Sequence, residues 1–178
     1  MNKIEIVESN VKSTVTKKPW YKKWYIILTI IIFIAMTIFN FNYTLVCVSG
    51  NSMNPNFTDG NVLLAERNYN QLYRFDVVVI SSNNAHRIVI KRIIGLPGDI
   101  IEYKDNQLFV NGEYVEDIYG SGITNDLKIT VDKDKYFCLG DNREKSNDSR
   151  KYGLFSKDEI FAKVQTRRYV KLQTNPIY

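Results

Sequence analysis

The sequence predicts a mostly β protein: an antiparallel β-sandwich or barrel body behind one N-terminal transmembrane helix. Three observations predict it. A single long segment is apolar and free of charge, and short strand-like runs separated by turn signals follow it. The composition, with 12 Tyr and 9 Phe, suits pleated, half-buried surfaces. A chain of 178 residues is long enough for one sizeable core plus an appendage.

Residues 1–23 are polar and short, and are expected to form a tail that does not fold alone. No charged residue occurs from Trp24 to Thr58, and "WYIILTIIIFIAMTIF" is apolar except for two threonines. Residues 24–41 are expected to form the membrane span, since 18 residues make a helix of about 27 Å against a hydrocarbon core of roughly 30 Å. A cleaved signal peptide has a shorter apolar region, about 7–15 residues, followed by a small-x-small site, and no such site follows Phe41. Lys17, Lys18, Lys22 and Lys23 precede the span, whereas the first basic residue after it is Arg67. By the positive-inside rule the N-terminus is cytoplasmic, and residues 42–178 form an extracytoplasmic domain of a single-pass protein of the cell membrane. Trp20, Tyr21, Trp24 and Tyr25 supply the aromatic belt of the inner surface.

The formal net charge of +5 is concentrated at the N-terminus. Residues 1–41 carry six lysines and two acids, and the remainder carries 18 basic against 17 acidic residues. A nearly neutral body excludes a nucleic-acid-binding face. Cys47 and Cys138 each lie in an apolar run, which fits two buried thiols, although an extracytoplasmic domain permits a bond between them.

Beyond the span, "TLVCVS", "NVLLAER", "FDVVVIS", "RIVIKRIIG", "DIIEYK", "QLFVNGEYV", "KYFCLG" and "EIFAKVQTRRYV" read as strands. Asn111-Gly112 suits a two-residue type I′ hairpin, and Pro97-Gly98-Asp99 a tight turn. The stretch from about 102 to 135 is the most polar and turn-rich, and is expected to be an inserted β subdomain.

Chemistry concentrates in "VSGNSMNPNF", Val48 to Phe57, which holds Ser49 and Ser52. A serine hydroxyl is a weak nucleophile without a base. His86, the one histidine, lies in a polar turn where an exposed structural histidine is the ordinary occupant. A lysine serves instead if burial keeps it neutral. Lys91, on an apolar strand and expected to share a face with Val89 and Ile93, is the candidate; the plainer alternative is a lysine that snorkels out of a strand edge.

Taken together, "SGNSMNP", "RFDVVVI", "KRIIGLPGD" and "LGDNREKSNDSRKYG", in that order behind an N-in anchor, resemble the type I signal peptidases (leader peptidases), membrane-anchored Ser/Lys proteases. The resemblance covers the anchor and nearly the whole external body, and the 39-residue interval from Ser52 to Lys91 is similar to that of Gram-positive members.

It implies Ser52, in the Gly-x-Ser-Met-x-Pro pattern, as acyl-enzyme nucleophile and Lys91 as general base, with Ser146 orienting the lysine ammonium. Asp148 and Arg150 match a structural ion pair beside the site. Asp141 and Arg143 hold the closing segment, and Arg92 is an ion-pair partner. Met53, Val89 and Ile90 match the lining of shallow pockets that admit small side chains. Some members carry a serine at the position of Gly50 as a donor to the oxyanion; with glycine, as in the Gram-positive-like branch, the hole rests on backbone N–H groups, chiefly that of Ser52.

The implied activity is endoproteolytic removal of signal peptides from secretory pre-proteins, with no metal or cofactor. The implied partners are those peptides and the lipid bilayer, against which Met53 and Phe57 are expected to lie. Three alternatives stay open: a relative dedicated to one precursor, such as a pilin or peptide; a non-catalytic assembly chaperone, which should have lost Ser52 or Lys91; and a soluble self-cleaving repressor, which needs a DNA-binding domain where the apolar span stands. Oligomeric state is not legible in the sequence.

Overall fold

The computed structural model describes residues 23–82 and 87–166. His86 falls outside them. The chain divides into two compact units, residues 1–38 and 39–178.

The first unit is dominated by helix α1, Trp24–Asn42, which runs on into the second. None of its residues is buried, and its mean hydropathy is 2.2. A 19-residue helix apolar on every side hides no face within the protein, which is the pattern of a segment solvated by lipid. Thr29 and Thr37 satisfy their hydroxyls on the carbonyls of Tyr25 and Phe33 one turn back, so neither places an unmet donor on the apolar surface.

The second unit contains two antiparallel sheets. Strands β1 (Tyr43–Cys47), β2 (Val62–Glu66), β3 (Val77–Ser82), β4 (Arg87–Gly95), β9 (Lys135–Leu139), β10 (Phe155–Ser156) and β11 (Ile160–Val164) form a seven-stranded sheet in the order β1-β2-β11-β3-β4-β9-β10. Strands β5 (Ile100–Lys104), β6 (Gln107–Val110), β7 (Glu113–Val115) and β8 (Leu127–Thr130) form a four-stranded sheet in the order β7-β6-β5-β8. Neither sheet closes into a barrel, so of the two expected architectures only the open one is formed. A short helix α2, Ser149–Tyr152, lies between β9 and β10.

The runs read as strands all contain strands. The β6–β7 hairpin turns on Asn111 and Gly112, whose φ values of 53° and 86° are those a type I′ turn demands. A second two-residue turn at Asp105-Asn106, φ 51° and 62°, joins β5 to β6 and has no glycine to announce it. The turn after β4 forms as expected, with Asp99 N–H donating to Leu96 O at 3.0 Å. Strands β8 and β10 were not legible: "LKIT" is short and half-exposed, and Phe155–Ser156 pairs through only two residues.

Val77 to Ile80 are fully buried on both faces, the mark of a central strand. Its partner β4 carries Val89 and Ile93 into one apolar cluster with Val78, Ile80 and Cys138, and Ile90 into another with Met53, Val79 and Ala65. A register shift between Ile93 and Gly95 breaks the alternation and sends Ile94 into a third cluster with Phe137 and the small sheet. The functional strand is thus gripped from three sides.

Both cysteines are free. Cys138 is buried as expected, and burial first, then the charge of Asp148, push its thiol well above the ordinary range against the pull of Lys91. Cys47 is exposed, which corrects the expectation of two buried thiols. In the burial pattern of β1, Cys47 and Leu45 are exposed while Val46 between them packs against the core.

Candidate active site

Ser52 lies in the turn between β1 and β2. Met53, only 1% exposed, pins that turn to the core cluster, and Phe57 packs partly buried against the same cluster while its N–H donates to Met53 O at 2.9 Å. Burial of Met53 corrects the expected lipid contact for that residue; Phe57 is only partly buried. The apolar side chains left exposed on this body include Leu45, Ile88 and Phe161.

Lys91 enters from β4 and is 3% exposed. Its Nζ donates to Ser52 Oγ at 2.8 Å and to Ile90 O at 2.9 Å. The snorkelling alternative is thereby excluded, since the amine is held inside the body. Pairing of β4 with β9 starts only at Arg92, so among the described residues Ile88–Ile90 pair in the sheet with β3 only. Beside it opens a groove of about 740 Å³ that Ser52 and Lys91 line together with β1 residues. Met53, Val89 and Ile90 all line this groove.

The closing segment crosses from β9. Asn142 N–H donates to Ser52 O at 3.0 Å. Gly140 is bare of necessity: a Cβ there would lie 2.2 Å from Ser146 Oγ and 2.5 Å from Ser52 O. Ser146 Oγ is buried with no hydrogen-bond partner among the described residues. The bond from Ser146 that was expected to orient Lys91 is thus not formed, because the hydroxyl is wedged against Gly140. A buried hydroxyl without a partner contributes nothing to folding and carries a desolvation cost. Ser146→Ala is therefore expected to leave thermal stability unchanged or raised by up to about 1 kcal/mol. Calorimetry tests this, and a clear fall in stability would contradict it.

Three ion pairs hold the segment. Asp148, fully buried, takes Arg150 in a fork at 2.8 and 2.7 Å, caps α2 through Arg150 N–H and accepts Gly140 N–H at 3.0 Å. Asp141, also fully buried, takes the Arg92 guanidinium in a fork at 2.8 and 2.6 Å. Arg143 donates to Gly140 O at 3.0 Å and pairs with Asp117 and the hydroxyl of Tyr103. Burial alone would raise the Asp117 carboxyl, but the charge and hydrogen bond of Arg143, with Tyr103 and Gly120, outweigh it and hold the carboxyl below its usual range. Gly50, at φ 83°, gives its N–H to Asp59 Oδ1 at 2.7 Å, so this amide is committed elsewhere and does not face an oxyanion.

Sequence reasoning missed Asn56, Asp59, Asp117 and Tyr119. Asn56 Nδ2 donates to Asp141 Oδ2 at 2.9 Å and to Tyr119 O at 3.0 Å, and the Tyr119 ring lies 3.8 Å from the Arg92 guanidinium. The partners of Asn56, Asp117 and Tyr119 lie tens of residues away along the chain, and Tyr119 sits in a turn-rich stretch that carries no motif.

An apolar helix followed by an open β body that brings a serine hydroxyl against a buried lysine defines the membrane-anchored Ser/Lys serine peptidases as a class. Comparison with known proteins narrows this. Residues 21–169 match the family described as "Signal peptidase, peptidase S26". The chain is 37% identical over 156 residues to signal peptidase I V of Bacillus subtilis, covering 77% of this chain and 92% of that protein. It is 35% identical over 182 residues to a signal peptidase I of Bacillus amyloliquefaciens, covering 93% and 96%. A crystal structure of a signal peptidase I from Enterococcus faecalis superposes with a TM-score of 0.50 at 32% identity, covering 55% of this chain and 98% of that one. The chain belongs to the type I signal peptidases of the S26 family, which are serine peptidases.

Proposed function

We propose that this protein cleaves signal peptides from exported pre-proteins after small residues, with Ser52 as nucleophile and Lys91 as general base. The observation that carries the reading is the 2.8 Å contact between Lys91 Nζ and Ser52 Oγ at a lysine only 3% exposed. Burial disfavours the ammonium form, and a neutral amine can accept the hydroxyl proton.

The steps follow from that pair. Ser52 Oγ attacks the scissile carbonyl as Lys91 takes its proton. The developing oxyanion faces Ser52 N–H, which has no acceptor among the described residues. The lysine ammonium then protonates the leaving amine, and the acyl-enzyme remains. Neutral Lys91 next deprotonates a water, whose attack on the ester frees the signal-peptide carboxylate and returns the proton to Ser52. Met53, Val89 and Ile90 give the groove its apolar lining, while the β4 edge at Ile88–Ile90, which among the described residues pairs in the sheet with β3 only, lies where an extended peptide would run. We read these residues as the lining of shallow pockets for small side chains, as the family resemblance implies, and that lining as the source of specificity.

Incubation of the purified full-length protein in detergent with a secretory precursor is expected to release one new N-terminus after a small-x-small sequence. Failure to cleave any such precursor, or cleavage after bulky residues, would overturn the reading. If a single dedicated precursor is cut and general ones are not, the specialised relative is the correct version of it. The chaperone alternative loses its footing because Ser52 and Lys91 are both retained and in contact.

We read residues 1–23 as the cytoplasmic tail, 24–41 as the span, and 42–178 as the peptidase body with 102–135 inserted, facing the outer surface of the cell membrane. The lysines before the span support that orientation. Protease added to intact spheroplasts is expected to digest the body; its protection until lysis would reverse the topology.

A further inference from the structure

We propose that Asn56 is a positioning residue for the Ser52/Lys91 pair, acting through the buried Arg92–Asp141 ion pair. The proposal rests on the Ser52/Lys91 reading and adds a part that the motif does not contain.

Ser52 and Lys91 belong to different elements, a turn after β1 and the middle of β4, so their 2.8 Å contact depends on how those elements are held against each other. Three links join them. Arg92, the neighbour of Lys91 on β4, forks onto Asp141. The residue after Asp141, Asn142, grips the carbonyl of Ser52 at 3.0 Å. Asn56, four residues beyond Ser52, donates its amide to Asp141 Oδ2 at 2.9 Å and to Tyr119 O at 3.0 Å. The closing segment thus holds the nucleophile turn at both ends, and Asn56 is the tether at the far end.

The position of Asp141 itself is set independently of Asn56. The carboxylate is fully buried, and the guanidinium that forks onto it also donates to Phe75 O at 2.9 Å and lies under the Tyr119 ring, which packs 5.4 Å from Phe75. Asn56 is exposed at the surface of this arrangement, so its side chain is dispensable for the core. Its one amide group meets two acceptors, a carboxylate and a carbonyl, which only an N–H donor of this length satisfies. Loss of the donor frees one end of the turn while the ion pair stays intact, and small displacements of a nucleophile from its base are costly in rate.

The test compares the full-length parent with Asn56→Ala, Asn56→Asp and Ser52→Ala in detergent, using a fluorogenic signal-sequence peptide, with thermal melts of each. Asn56→Ala is expected to lower kcat about tenfold with KM within about twofold and the melt within a few degrees of the parent. Asn56→Asp keeps the shape but opposes a carboxylate to two acceptors, and is expected to lower kcat further, about a hundredfold. A kcat for Asn56→Ala within twofold of the parent would overturn the proposal, as would a loss confined to KM or an Asn56→Asp enzyme as active as the parent. Should alanine unfold the turn, the isosteric aspartate still decides. Cleavage by Ser52→Ala would sink the underlying pair, and the positioning role with it, by a result distinct from all of these.

Discussion

Lys91→Arg is expected to abolish precursor cleavage as completely as Lys91→Ala or Ser52→Ala, each lowering turnover by at least about a thousandfold. The reason is protonation rather than size. Arginine keeps its charge at any accessible pH and cannot accept the Ser52 proton, whereas a lysine buried at 3% exposure can be neutral. Members of one catalytic unit fail together, so the Ser52→Ala/Lys91→Ala double variant is expected to be no worse than either alone. His86→Ala is expected to retain the parent's turnover within about twofold, since no step assigned here passes through an imidazole. Turnover by Lys91→Arg within a few-fold of the parent, with the fold intact by circular dichroism, would remove Lys91 from the mechanism.

Asp141→Ala is expected to lower the stability of the peptidase body by about 3–5 kcal/mol, a fall in Tm on the order of 10 °C. The carboxylate is fully buried and its partner Arg92 is 3% exposed, so removing one charge strands the other away from water. Asn56 and Ser121 report on the same residue, through its carboxylate and its backbone carbonyl, and only the former contact is lost. The exposed pair Lys128–Glu102, at 2.8 Å but with the lysine side chain 65% exposed, is the control. Glu102→Ala is expected to cost no more than about 1 kcal/mol despite the similar distance, because water screens both charges in either state. Equal effects of the two substitutions on thermal unfolding would mean that burial does not govern the Arg92–Asp141 pair.

What was determined by sequence alone follows from local physics. An 18-residue charge-free apolar run predicts a helix long and apolar enough to cross a membrane, and a helix of that kind forms over Trp24–Asn42. Period-two runs between Gly, Pro and Asn turns have one stable setting, and the Asn111-Gly112 hairpin forms because few other dipeptides tolerate two positive φ values in succession. Ser52 and Lys91 were legible because both stand inside compact motifs.

Tertiary structure decided what depends on partners distant along the chain. Whether Lys91 snorkels or is buried depends on which strands flank β4, and pairing with β3 only over Ile88–Ile90, among the described residues, both opens the groove and leaves the amine facing Ser52. Met53 looked like a lipid contact because an apolar residue in a loop carries no mark of direction; the core drew it inward. The hydroxyl of Ser146 was assigned to the lysine by motif, yet the close approach of Gly140 confines it elsewhere. Asn56 and Tyr119 had no local signal at all, since a hydrogen bond across 63 or 85 residues is set by the meeting of two sheets and a closing segment, which no short window of sequence encodes.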